Sequence, residues 1–264
     1  MITLGIDTAT ELVSVALVDG EKVLAASESQ SDRRHAEDLT PMLQFVVRRA
    51  GIAFSEIDAV AVDVGPGLFT GMRVGIAAAQ ALAQVLSVPL VGVDSLEALV
   101  AGVGSLDDDH EIVVPVVDTR RREVAWALHR NHGDRSLRRV APPQVGTLED
   151  LLAVVRERSQ QCLFVGAYAV KNREQVQADL GPQSWSVRFD SSSTHPHARY
   201  VAAVGQARLL REPSELSDAG PRAANRGIDS QGERSDDAVF APTVQPMYLR
   251  DADAEIHWST RATR

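Results

Sequence analysis

At 264 residues the chain is long enough for two ordinary cores, and its 44% hydrophobic and 24% charged residues are those of a folded globular protein. A formal net charge of −9 excludes a surface given over wholly to nucleic-acid phosphates, though not an acidic subunit whose partner holds the nucleic acid. The lone Cys162, in the apolar run CLFVG, excludes a disulfide scaffold and points to a reducing, cytoplasmic compartment; no apolar run reaches the ~18 residues of a membrane span, and the start reads as structure without a leader.

In chain order, residues 2–8 and 12–18 read as strands, and Asp19-Gly20 turns the second into a returning strand over 22–29. Asp32 is placed to cap a helix in which Leu39, Met42, Leu43, Val46, Val47 and Ala50 recur at helical spacing until Gly51. Residues 59–64 are almost wholly apolar, as in a strand buried on both faces. A Gly-Pro-Gly turn follows, then a helix over 70–86, a strand over 90–93 and a short helix capped by Ser95. The second half repeats the order. Strands are expected over 112–117, 123–129 and 136–141, then a helix over 148–158 capped by Thr147, a strand over 163–165, a helix over 168–180, a strand over 185–189 and a last helix over 197–211.

This doubled βββαβαβα order predicts an α/β protein with the duplicated ribonuclease-H-like, actin-like (ASKHA) fold. The expected division is a first subdomain over 1–105 and a second over 106–212. Residues 213–241, rich in Ser, Asp, Gly, Pro and Arg, read as a polar flexible linker, and 242–264 as a tail that docks back on the body.

Three stretches are candidates for chemistry. Asp7 and Thr8, after the first strand, either close a tight turn or approach a phosphate, as this turn does in the actin-like fold. Gly65 and Gly67 allow close backbone approach, either to an anion at the head of the following helix or to the chain itself, with Thr70 as the cap. Asp118, at the matching turn of the second half, completes a nucleotide-binding set that looks vestigial. His35 has Leu39 at i+4, where a metal-binding helix needs a second ligand, and the remaining histidines are scattered, so neither a metal site nor a catalytic set is expected. The helix over 70–86 is apolar around more of its girth than one sheet can cover, through Gly71, Gly75, Ala77, Ala78, Ala79, Ala81 and Ala83. With the larger residues of the preceding helix it predicts a helical bundle across an interface, the alternative being that both pack internally.

Taken together, GIDTAT, RRHAEDLTPML, DAVAVDVGPGLFTGMRVGIAAAQALA, VPLVGVDSLEAL, VVDTRRREVAWALH and a late PMYLR resemble the bacterial TsaB (YeaZ) family, closely over residues 1–130 and more thinly beyond. The resemblance implies a non-catalytic scaffold that binds and stabilises a metal-bearing TsaD-like catalytic subunit. With a TsaE-like ATPase, that complex transfers threonylcarbamoyl to adenosine 37 of tRNA (t6A). It implies no cofactor of the chain's own, ATP and a metal used by the complex, tRNA met only through the complex, a homodimer in isolation and no membrane. The family's bundle carries over onto His35, Leu39, Met42, Leu43, Val46, Gly71, Val74, Gly75, Ala78 and Leu82. The rival reading is an ATP-dependent small-molecule kinase of the same fold, which the single glycine of Val165-Gly166-Ala167-Tyr168 disfavours as an adenosine turn.

Overall fold

The structure is a computed structural model and describes residues 1–30, 34–104, 112–120, 122–131, 137–158, 161–181, 187–211, 244–247 and 249. Short turns make β1 (Ile2–Asp7), β2 (Leu12–Asp19) and β3 (Lys22–Gln30) antiparallel neighbours. Strands β4 (Ala59–Asp63) and β5 (Leu90–Val93) return by way of helices α1 (His35–Ala50) and α2 (Phe69–Leu86), so they pair parallel, giving the order β3-β2-β1-β4-β5. Helix α3 (Ser95–Ala101) follows. Every residue of β4 is buried, because helices cover both faces of the sheet there.

The second sheet has the same plan. Strands β6 (Ile112–Arg120), β7 (Glu123–Asn131), β8 (Leu137–Gly146), β9 (Cys162–Val165) and β10 (Val187–Asp190) lie in the order β10-β9-β6-β7-β8. Helices α4 (Leu148–Arg158), α5 (Ala167–Lys171), α6 (Arg173–Leu180) and α7 (Ala198–Arg211) complete it. The doubled order read from the sequence is present.

Several boundaries differ, each for a local reason. Leu68 rather than Thr70 precedes α2, which starts without a side-chain cap. Asp94 rather than Ser95 caps α3, its carboxylate accepting the N–H of Glu97 at 2.7 Å. The helix expected over 168–180 breaks at Asn172, whose amide donates to the carbonyl of Tyr168. Strand β8 runs on through Pro142 and Pro143, which an edge strand tolerates because one side of its backbone needs no partner. Asp32, the segment 213–241 and most of the tail lie outside the described residues.

Helices α1 and α2 lie on one face of the first sheet over the core of Leu4, Ile6, Val60, Val62, Leu43 and Val46. The other face is taken by α7, the last helix of the chain, packed on β1, β2 and β4. Helix α3, although it follows β5, packs on β6 and β7 and touches α7. Each half therefore lends a helix to the other. Ion pairs reinforce the exchange: Arg139 of β8 pairs with Asp94, and Arg208 of α7 with Glu97. Among the described residues, no helix is long and apolar enough to cross a membrane.

Candidate functional site

Asp7, Thr8, Gly65 and Gly67 are brought together where β1 and β4 end. The contacts there are made within the chain. The hydroxyl of Thr8 donates to the carbonyl of Gly71 at 2.7 Å, and the N–H of Leu68 donates to the carbonyl of Ala9 at 2.7 Å. A Cβ at Gly67 would stand 2.1 Å from the Ala9 carbonyl oxygen, and one at Gly71 would stand 2.2 Å from that of Thr8. Glycine is required because two turns touch, so the close approach is between stretches of one chain. The N–H of Met247, in the late stretch 244–247, donates to the carbonyl of Val64 at 2.7 Å and covers this cluster.

The electrostatics are unusual for so dry a place. Asp7 and Asp63 are both fully buried. Burial, and then the charge of Asp63, raises the Asp7 carboxyl well above the carboxylate range. Burial likewise raises Asp63 to about 7, against the pull of the Gly65 N–H and the Ser95 hydroxyl. Asp63 did not stand out in the sequence. Its one signal is an acid ending the otherwise apolar strand AVAVD, a position where an ionisable group is buried only with partners.

Asp118 lies across a cleft from the turns of this cluster, whose neighbours Thr10 and Leu68 line the near side. It lines this cleft, of about 270 Å³ between the halves, with Glu11, Arg120, Tyr168, Lys171 and His195. Arg120 is paired with Glu11 at 2.6 Å, and the Asp118 carboxylate accepts the N–H of Arg120 at 2.7 Å. Burial and the nearby Asp118 raise the Tyr168 hydroxyl, while burial and His197 lower His195. The turn at Gly166 is closed: its N–H and that of Ala167 donate to the carbonyls of Ser193 and Thr194. Among the described residues, no three His, Cys, Asp or Glu side chains are grouped to hold a metal.

The residues carried over as an interface divide in two. Leu39, Met42, Leu43 and Val46 sit in the chain's own core, and Gly71 and Gly75 lie against the Thr8 turn. His35 is also enclosed, its Nε2 2.8 Å from the carbonyl oxygen of Thr10. Val74, Ala78 and Leu82 are half-buried on the flank of α2. Beside them Ala77 and Ala81, named in the sequence, are exposed at i and i+4, and with them three residues that sequence reasoning missed: Val85 at i+8, 81% exposed, Phe45 of α1 and Phe69. Small residues in the middle of such a ridge let a second helix approach closely.

Two mixed five-stranded sheets of identical topology, with a helix exchanged between them, define a duplicated actin-like protein. The family model of TsaD, tRNA N6-adenosine threonylcarbamoyltransferase, matches residues 23–258. The tRNA threonylcarbamoyladenosine biosynthesis protein TsaB of Escherichia coli K12 is 33% identical over 207 residues, covering 76% of this chain and 84% of that protein. The chain belongs to the TsaB (YeaZ) family. A Pseudomonas aeruginosa crystal structure, of an uncharacterized protein with similarity to peptidase YEAZ, superposes with a TM-score of 0.69 at 25% identity, covering 94% of this chain and 99% of that one. An uncharacterized Mycobacterium leprae protein, ML0378, is 40% identical over 154 residues; the match covers 57% of this chain and 40% of that relative's length.

Proposed function

We propose that this chain is a non-catalytic partner subunit in cytoplasmic t6A modification of tRNA, binding and stabilising a metal-bearing TsaD-like subunit through the outer ridge of α2. The observation that carries this reading is the ridge itself. Val74, Ala77, Ala78, Ala81, Leu82 and Val85 present an apolar helix face that the chain's own core leaves partly or wholly uncovered. In isolation the same face pairs with a second copy. A TsaE-like ATPase completes the complex, ATP and the metal are held by the partners, and tRNA is met only through them. The names of the relatives support the pathway, and the closed turns at Gly65–Gly67 and Gly166 weigh against the kinase reading.

The test is reconstitution of tRNA modification with TsaD-like and TsaE-like subunits, with and without this chain. Ala81→Glu and Val85→Glu place a charge where the single chain is open to solvent, so melting at concentrations too low for self-association is expected to be unchanged. Buried against a partner, the same charge is unpaired and is expected to weaken binding at least about tenfold. Unchanged affinity in both variants, or full modification without the chain, would overturn the proposal.

A further inference from the structure

Asp7 ends β1 and Asp63 ends β4, and these parallel strands pair through Ile6 and Val62, so the two carboxyls stand side by side, both 0% exposed. One oxygen of each is satisfied. Oδ1 of Asp7 accepts the N–H of Ala9 at 2.8 Å, and Oδ1 of Asp63 accepts the N–H of Gly65 and the hydroxyl of Ser95, each at 2.7 Å. The Oδ2 atoms are sealed from solvent and receive no donor from any other described group. Two ionised carboxylates only accept, so side by side and without another donor they can satisfy each other only with a proton between them.

We propose that Asp7 and Asp63 share a proton, Asp7 as the acid and Asp63 as the carboxylate, and that this proton ties the turn after β1 to the turn that launches α2. The assignment follows from the donors. Asp63 already receives two, Gly65 N–H and Ser95 O–H, and so holds charge at lower cost than Asp7, which receives one. The proton thereby joins Ala9 on one side to Gly65 and the head of α3 on the other. The surroundings favour keeping it. Glu28 on β3 and Asp94 before α3 both add negative potential. The cations and imidazoles nearby are committed elsewhere: Arg139 of β8 to Asp94, His197 before α7 to Glu28, and His35 of α1 to the Thr10 carbonyl. On α2, Arg73 is exposed and stacks on Phe69.

The tie makes stability depend on pH with a definite sign. Both carboxyls are raised in the folded chain above the 3.8 of an ordinary aspartate, so folding retains protons that unfolding releases. The share of Asp63 is complete below about 4 and is lost as pH rises through about 7, where Asp63 ionises; the proton that remains is the shared one, held by Asp7. This holds whether or not α2 docks a partner.

Three measurements on the full chain test it. Infrared spectra at pH 8 are expected to show a buried protonated carboxyl that disappears in Asp7→Asn. Unfolding at pH 7.5 is expected to release about one proton, and Asp7→Asn, whose amide supplies a permanent donor to Asp63, is expected to cut that release by at least about half. Asp63→Asn is expected to reduce it as well. Absence of a protonated carboxyl band in the parent chain at pH 8, or undiminished proton release in both variants, would overturn the proposal. The parent spectrum decides the matter if neither variant folds.

Discussion

His129 on β7 faces Arg139 across the β7–β8 ladder and is only 2% exposed, with neither ring nitrogen hydrogen-bonded among the described residues. Burial, and then the Arg139 charge, lower it from 6.5 to about 4, with Asp94 offsetting part of the effect. The imidazole is therefore neutral in the fold at any pH where the unfolded chain would begin to protonate it. Its contribution to stability is complete above about 6.5 and is lost as pH falls toward about 4, a difference on the order of 3 kcal/mol. His129→Leu is expected to flatten this acid limb in pH-dependent melts, and an unaltered limb would assign it to other groups. In the sequence His129 was one of several scattered histidines. Nothing local marks it, because its state depends on an arginine ten residues away and on a sheet covering both.

At the scale of the element, the apolar period of α1 is plain in the sequence, but the partner that covers it is not. Leu39, Met42, Leu43 and Val46 have the spacing of an interface and of a core alike. They pack on β2 and β3, and Leu43 is 6% exposed. Leu43→Ala is accordingly expected to cost about 2–4 kcal/mol in denaturant unfolding of the isolated chain, because it leaves a cavity. Val85→Glu, on the outer ridge of α2, is expected to leave that measurement within about 0.5 kcal/mol when it is made on the monomer, below the concentration at which two copies pair. A charge at Leu43 would report on folding, so it is no probe of docking. The same helical pattern on α2 hid the opposite fact: its small residues serve two faces. Gly71 and Gly75 admit the Thr8 turn inside, while Ala77 and Ala81 stay open outside.

For the whole molecule, the consequential feature is the exchange of α3 and α7. A reading that cuts the chain near residue 105 assigns each helix to its nearest strands. In the fold α3 lies on the second sheet and α7 on the first, and the Asp94–Arg139 and Glu97–Arg208 pairs hold them there. Asp94 is 4% exposed, so Arg139→Met leaves a nearly buried carboxylate with, among the described residues, the Glu97 N–H as donor. The expected cost is about 2–3 kcal/mol in thermal or denaturant unfolding. Adding Asp94→Asn is expected to recover most of it, since the pair rather than either charge is what the site requires. Two independent losses would mean that the residues are not coupled.

The amino-acid order by itself determined the repeated βββαβαβα plan, the buried parallel strands and the turn glycines, because period, turn chemistry and unbroken apolar runs are local properties. It also brought Asp7, Thr8, Gly65, Gly67 and Asp118 forward as one candidate set. Only the tertiary structure decided what that set is. The turns close on each other, Asp118 is left across a cleft, and Asp63, the quiet member of an apolar strand, becomes the partner of Asp7. Parallel neighbours lie far apart in sequence, and a shared proton or an exposed ridge exists only after strands and helices have taken their faces.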